Sequence, residues 1–163
     1  MGSEAEEIIL RPAEAGDLDG MIAVTREVFG EQSVDARVQR MIGQRGRGDW
    51  ADLKARSLRR ELDGHGGSCF VAELGGRVVG YVTNVVDELA SRGTIANLAV
   101  SAACQGRGVG RRLILRSIER FRELGLKVAK IETLATNPVG QHLYPSVGFQ
   151  EVVRQIHYFM PLD

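Results

Sequence analysis

The sequence has few residues that could form cross-links or bind a metal. It contains two cysteines, Cys69 and Cys104, and their spacing matches no metal-binding pattern. A disulfide between them would be unusual in a chain that otherwise looks cytoplasmic, so both are predicted to be reduced thiols. We therefore expect no metal in the functional site.

Long hydrophobic runs and an excess of one charge are also missing. No stretch approaches the roughly eighteen apolar residues that a membrane span needs, and the N-terminal MGSEAEEIIL lacks the basic segment of a signal peptide. Lys plus Arg and Asp plus Glu each number 21. This balance argues against nonspecific nucleic-acid binding, which needs a basic surplus. The sequence thus predicts a cytoplasmic protein with neither membrane nor nucleic acid as a partner.

The composition is that of an ordinary folded domain. The chain has 163 residues, of which 44% are hydrophobic and 26% charged, and this length can bury roughly two-thirds of the surface of the unfolded chain. No repeat, linker or low-complexity segment divides it. We predict a single domain over residues 1–163, with its core in residues 8–160.

The hydrophobic pattern predicts both strands and helices. Strands are expected at 8–10, 69–74, 77–86, 94–100, 127–134 and 149–160, and helices at 18–29, 34–42, 50–62, 109–124 and 137–147. Asp17 and Asp49 are expected to cap the first and third helices, and Gly75-Gly76 to form a hairpin turn. The predicted fold class is α+β (mixed α/β), with the strands in one sheet.

A glycine-rich stretch lies between the fourth predicted strand and the next helix. Residues 105–110 read Gln-Gly-Arg-Gly-Val-Gly. A strand, a glycine turn and a helix aim free backbone N–H groups and the positive helix end at one point, where anions bind. Arg107, Arg111 and Arg112 are expected to add positive charge beside this point. A Walker loop would need Lys-Ser/Thr after Gly110, and a dinucleotide loop would need a different glycine spacing, so neither fits.

A second glycine-rich stretch, GQRGRG at residues 43–48, has a similar composition. No strand precedes it, and neither Gln44 nor Arg45 is followed by glycines at the third and fifth places. We therefore interpret it as a linker between two helices, with the mouth of an acceptor site as the alternative.

Residues 105–110 resemble the acyl-CoA loop of the GCN5-related N-acetyltransferase (GNAT) superfamily, whose signature is Q/R-x-x-G-x-G/A. The preceding IANLAVS is similar to the fourth strand of that family. NPVGQHLYPSVGF, at 137–149, resembles its second signature, in which an Asn precedes a Leu-Tyr pair and a closing Gly-Phe. The resemblance covers residues 8–160. It implies a mostly antiparallel, twisted sheet flanked by helices, with acyl-CoA bound at a splay between the fourth and fifth strands.

The same resemblance implies which residues hold acetyl-CoA. The pantetheine would pair with the backbone of the fourth strand, and a backbone N–H near Val100 would stabilise the oxyanion. Asn137 would contact the pantetheine and could also cap the last helix, ahead of Pro138. The implied cofactor-binding residues are Leu98, Ala99, Val100, Gln105, Gly106, Arg107, Gly108, Val109, Gly110, Arg111 and Asn137.

Tyr144 is the predicted general acid, because it corresponds to the tyrosine of the Leu-Tyr pair in the resembled family. A phenol with a pKa of about 10 can donate a proton to a thiolate whose conjugate acid has a pKa of about 8.5. The alternative is an aromatic side chain that only packs under the last strand. Pro145 removes a helical hydrogen bond next to Tyr144, which should loosen this turn.

The general base is where the sequence departs from the resembled family. Many relatives carry a glutamate just ahead of the LAV segment, whereas Ile95-Ala96-Asn97 offers no carboxylate. The acceptor would then lose its proton through water ordered by Asn97 or by a carbonyl group, or through Asp87 or Glu88. His142 and His157 are interpreted as structural or surface residues. Cys104 is interpreted as a bystander, since direct transfer is usual in the family.

The sequence therefore predicts an acetyl-CoA-dependent N-acetyltransferase. Its acceptor would be a primary amine of a small molecule or a protein, and segments 31–49 and 87–93 carry both signs of charge and do not choose between them. The alternative is a catalytically weak acyl-CoA-binding sensor or interaction protein on the same fold. Residues 152–160 leave a homodimer open, because final β segments often form dimers in the resembled family.

Overall fold

The computed structural model describes residues 7–30 and 32–163, and it contains one five-stranded sheet. The strands are β1 (Ile9–Pro12), β2 (Phe70–Leu74), β3 (Arg77–Asp87), β4 (Arg92–Val100) and β5 (Val128–Ile131), in spatial order β1-β2-β3-β4-β5. The first four pair antiparallel, and β5 pairs parallel to β4. The predicted mixed α+β class with a mostly antiparallel sheet is confirmed.

Five α-helices flank the sheet. They are α1 (Leu18–Val28), α2 (Val34–Ile42), α3 (Trp50–His65), α4 (Val109–Glu123) and α5 (Pro138–Ser146). Short 3-10 turns lie at Ala15–Asp17, Gly66–Ser68 and Ala102–Cys104. No helix among the described residues is both long enough and apolar enough to cross a membrane.

The two predicted aspartate caps differ in outcome. Asp49 accepts a hydrogen bond from the backbone N–H of Asp52 at 2.8 Å and caps α3 as predicted. The predicted cap at Asp17 is wrong, because its side chain makes no capping bond to α1. It instead accepts bonds from the N–H of Glu14 and the guanidinium of Arg11, which lower the pKa of its carboxyl. A nearby cation and a preceding 3-10 turn therefore outcompete the helix for this carboxylate.

The predicted strand ends differ at both edges of the sheet. β1 extends through Pro12, which is tolerated because β1 is an edge strand. The predicted final strand is wrong: residues 149–163 adopt neither helix nor strand, and side chains 150–163 are exposed. Val, Ile, Tyr and Phe favour a strand only where a neighbouring edge pairs with it. Here no strand pairs with this segment.

A β-bulge at Ala96 divides β4 into two parts. Asn97 lies opposite Thr83 and Ile95 lies opposite Asn84, so Ala96 has no partner on β3. Ile95, Leu98 and Val100 consequently face the apolar core under α4. Ala99 faces the second core cluster, which α1 and α3 cover. Asn97 points to this second face, where it meets side chains of α3.

Candidate active site

An open cleft of about 980 Å3 lies where β4 and β5 separate. β5 pairs with β4 only from Arg92 to Ile95 and ends at Ile131. Residues 97–100 continue β4 with strand partners on β3 alone. The outer backbone edge of this part of β4 is therefore free to accept an extended ligand as an added strand. The splay that the sequence predicts is present between the fourth and fifth strands.

The glycine-rich loop closes one end of the cleft. Gly106 and Gly108 have φ angles of +74° and +76°, a conformation that favours glycine. The first backbone bond of α4 joins the N–H of Arg112 to the carbonyl of Gly108 at 3.0 Å. The N–H groups of the preceding turn are thus free of helical partners and lie at the positive end of the helix. Gln105 ties the loop back to β4 by donating to the carbonyl of Val100 at 3.0 Å.

The structure places the three arginines of the loop differently. Arg111 lines the cleft and donates to the hydroxyl of Ser146 on α5 at 3.0 Å. Arg112 turns away and donates to the carbonyl of Ile8 at 3.0 Å. Arg107 is exposed and lies outside the cleft lining. The prediction that Arg112 adds charge beside the loop is therefore wrong, because the carbonyl of Ile8, just before β1, binds its guanidinium.

The cleft brings together most of the residues that the sequence implicates in cofactor binding. All of them except Arg107 line it, namely Leu98, Ala99, Val100, Gln105, Gly106, Gly108, Val109, Gly110, Arg111 and Asn137. Tyr144 lines the same cleft from α5. The predicted constellation therefore converges on one concave surface.

Tyr144 is half-buried and packs edge-to-face on Phe149, with ring centroids 6.4 Å apart. Burial raises the pKa of its phenol, and a hydrogen bond with Thr133 opposes this shift. The raised pKa keeps the phenol protonated at neutral pH, as a proton donor must be.

Asn137 and Thr133 form the floor beside Tyr144. The predicted capping bond of Asn137 is absent, and its amide nitrogen donates to Thr133 Oγ1 at 2.9 Å. A Cβ at Gly140 would lie 2.8 Å from Thr133 Oγ1, so the helix approaches this pair too closely for any side chain there. Thr133 belongs to no recognised motif, and sequence reasoning missed it.

A polar network surrounds Asn97 on the opposite wall. Asn97 is 6% exposed, and its Nδ2 donates to Glu61 Oε2 at 2.8 Å and to Thr83 Oγ1 at 3.1 Å. Thr83 donates in turn to Glu61. Lys54 Nζ donates to Asn97 Oδ1 at 2.8 Å, and both residues line the cleft. Lys54 and Glu61 lie seven residues apart on one face of α3, a spacing that could have signalled the pair.

The other predicted candidates for proton transfer are dispersed. Asp87 lies opposite Arg92 at the paired end of β3 and β4, and neither Asp87 nor Glu88 lines the cleft. His142 and His157 line the cleft but are exposed. Cys104 also lines it, and its thiol belongs to the buried core as a free cysteine.

The remaining sequence features lie apart from this cleft. Residues 43–48 connect α2 to α3 and are absent from its lining, as the linker interpretation predicts. Across residues 7–30 and 32–163, no three His, Cys, Asp or Glu side chains converge to hold a metal ion.

The architecture defines the class of the protein. Residues 36–149 match the model of the acetyltransferase (GNAT) family. The chain therefore belongs to this family, and the resemblance on the loop and the Leu-Tyr pair is confirmed at the level of the family.

Relatives in this family are named for different acceptors. A [ribosomal protein bS18]-alanine N-acetyltransferase of Haemophilus ducreyi is 32% identical over 78 residues, which are 47% of this chain and 54% of that protein. A mycothiol acetyltransferase of Sanguibacter keddieii is 29% identical over 136 residues, which are 80% of this chain and 42% of that protein. The chain thus spans about half the length of these relatives.

Solved structures share the fold at low identity. PaiA N-acetyltransferase from Thermoplasma acidophilum, in complex with coenzyme A, superposes with a TM-score of 0.72 at 17% identity, over 88% of this chain and 90% of that chain. The ribosomal-protein-S18-alanine N-acetyltransferase from Escherichia coli has a TM-score of 0.67 at 19% identity, over 90% of this chain and 80% of that chain.

Proposed function

We propose that the protein is an acetyl-CoA-dependent N-acetyltransferase that transfers an acetyl group directly to a primary amine. In this proposal residues 1–163 form a single catalytic domain. The observation that carries it is the cleft itself, which joins the free edge of β4, the glycine loop and Tyr144. The coenzyme A complex of a structural neighbour supports the choice of cosubstrate.

The residues of the cleft fit a long, anionic thioester. Gly106 and Gly108 present backbone without a Cβ, and nothing lies within 4 Å of the position a Cβ would take. A pyrophosphate can therefore approach the free N–H groups at the start of α4. The edge of β4 provides N–H and carbonyl groups for the pantetheine arm, and a backbone N–H near Val100 stabilises the oxyanion. Acetyl-CoA supplies the activated acyl group.

Tyr144 provides the proton for the leaving thiolate in this proposal. An ordinary phenol is already protonated at neutral pH, and burial raises the pKa of Tyr144 further. The acceptor amine attacks as a neutral nucleophile, and its surplus proton passes to water at the Asn97 wall. Holding the amine beside the thioester makes the reaction effectively unimolecular.

The acceptor class remains the two alternatives of the sequence analysis, a small molecule or a protein. Relatives named for bS18 alanine and for mycothiol fall on both sides of this division. The lining mixes Asp35, Lys54 and Glu132, so charge does not decide between them.

The proposal is tested by a panel of amines with acetyl-CoA, following free thiol. We expect Tyr144→Phe to lower kcat by about 10²–10⁴-fold, because the general acid is lost, with acetyl-CoA binding retained. Tyr158→Phe is the matched control, since Tyr158 is 89% exposed and lies outside the cleft lining. If acetyl-CoA binds while no thiol is released, with or without an added amine, the protein is an acyl-CoA-binding sensor instead.

The proposal also includes a compartment. Cys69 and Cys104 are both free and buried, which suits a reducing compartment such as the cytoplasm.

The proposal includes a homodimer as well. Four apolar or aromatic side chains of the C-terminal segment are exposed, namely Val152, Ile156, Tyr158 and Met160. Such a row of apolar side chains favours a homodimer that covers them.

A further inference from the structure

Lysine is scarce in this chain, and one of its three lysines lies in the cleft. The lysines are Lys54, Lys127 and Lys130, and all other fixed cations are arginines. Lys54 lines the cleft from α3, whereas Lys127 and Lys130 lie outside its lining. Arginine does not lose its proton in proteins, but lysine can become a neutral nucleophile. The cleft therefore contains an amine supplied by the protein itself.

The network around Asn97 fixes where this amine lies. Both hydrogens of the Asn97 amide nitrogen are used by Glu61 and Thr83. Reversing the amide would bring Oδ1 against the Glu61 carboxylate, which repels it. Oδ1 is therefore the atom that accepts from Lys54 Nζ at 2.8 Å, and both residues line the cleft. Asn97 directly precedes the stretch of β4 proposed to bind the pantetheine.

The surroundings of Lys54 leave its amine available for reaction. Within the described part of the chain, its contacts are the neutral carbonyl oxygen of Asn97 and the ring of Phe29, 5.3 Å from Nζ. No carboxylate in that part pairs with it. Lys54 is therefore not held in an ion pair with a described residue.

We propose that Lys54 is an acceptor of the acetyl group, so that the protein acetylates itself within its own cleft. This inference rests on the proposed function. In the step, the Nζ–C bond forms and the thioester C–S bond breaks. The Lys54 ammonium first gives one proton to water, and after the neutral amine attacks, a second proton leaves Nζ for water. The thiolate receives a proton from Tyr144, which water then reprotonates. The products are N-acetyl-Lys54 and coenzyme A.

The inference is tested by incubating the purified chain with acetyl-CoA and mapping acetyl-lysine by peptide mass spectrometry over time. We expect Lys54 to be modified roughly a hundredfold faster than Lys127 and Lys130, because it is held beside the thioester. The rate per molecule should not change with protein concentration. Equal rates at the three lysines, equal modification in urea-unfolded protein, or a rate that rises with protein concentration would overturn the inference.

Two variants separate positioning from folding. Asn97→Ala should abolish the preference for Lys54, since the carbonyl that holds Nζ is lost, whereas Lys127→Arg should leave it intact. Circular dichroism checks that each variant is folded. If Asn97→Ala does not fold, Glu61→Ala provides the same test, because it removes the acceptor that orients the Asn97 amide. A preference that survives in the folded variant contradicts the inference.

The parallel amine panel distinguishes the two levels of proposal. Thiol release with an added amine, while Lys54 stays unmodified, overturns this inference and leaves the proposed function standing. Neither thiol release nor modified Lys54 overturns both. Selective modification of Lys54 with no active external amine supports self-acetylation and the acyl-transfer chemistry of the cleft.

Discussion

Asn84 and Asn97 are two buried asparagines that flank the same bulge, but Asn84 bonds within the core and Asn97 belongs to the cleft. Asn84, on β3, is 0% exposed and donates to the carbonyl of Ser68 and to Ser117 Oγ on α4. Its own Oδ1 is buried without a partner. Asn97, on β4, uses all of its amide atoms and lines the cleft, where its Oδ1 accepts from Lys54.

The difference comes from the face of the sheet on which each side chain lies. Asn97 pairs with Thr83 and faces α3, whereas Asn84 is the next residue along β3 and faces α4. Burial and residue type are therefore the same at the two positions, while access to the cleft differs. A buried amide points to chemistry here only where its side chain also lines the site.

Asn84→Ala should produce the largest loss of stability in this comparison. It leaves the Ser68 carbonyl and the Ser117 hydroxyl without their buried donor and opens a small cavity, so we expect unfolding free energy to fall by about 2–4 kcal/mol. Urea denaturation measures this fall in unfolding free energy. Acetylation of Lys54 in the folded fraction should be unchanged. A loss of Lys54 preference in this variant would erase the distinction between the two asparagines.

The stability of the packing around Asn84 should also depend on pH in the alkaline range. Asn84 N–H donates to Cys69 Sγ at 3.5 Å, and burial raises the pKa of this thiol from 9.0 to about 11. The unfolded chain releases the thiol proton at lower pH than the folded chain, so the contribution of Cys69 to stability is constant below pH 9 and falls as pH rises toward 11. We expect a loss of about 1–3 kcal/mol over this range.

The test compares the unfolding free energy of the unaltered protein and of Cys69→Ala, measured by urea denaturation at pH 7 to 11. The variant should lose the part of the alkaline decline that Cys69 causes, so its curve should be flatter between pH 9 and 11. Tyr81, whose pKa burial also raises, continues to contribute above its usual range. Parallel curves for the two proteins would show that the Cys69 thiol does not set the decline.

The features that the sequence predicts correctly are local ones. The glycine loop, its flanking strand and helix, and the Leu-Tyr pair each depend on short-range spacing, so the pattern places Gly106, Gly108 and Tyr144 on the right elements. The Gly75-Gly76 turn, with φ angles of +56° and +74°, follows the same logic.

The features that the sequence does not predict depend on contacts between elements far apart in the chain. Glu61 and Lys54 reach Asn97 only because α3 packs across the sheet. No short sequence motif predicts this packing. Asp17 and Asn137 look like helix caps in sequence, yet Arg11 and Thr133 take their side chains. Residues 149–160 have strand propensity without a strand to pair with.

Glu61→Gln should have the smallest effect on stability. One oxygen of Glu61 accepts the bonds from both Asn97 and Thr83, and the amide oxygen of glutamine can replace it. Only the charge assistance is lost, so we expect unfolding free energy to change by about 1 kcal/mol or less. Urea denaturation beside Asn84→Ala gives the comparison. If Glu61→Gln costs as much as Asn84→Ala, the Asn97 network is as much a part of the folded core as the Asn84 cluster, and access to the cleft no longer separates them.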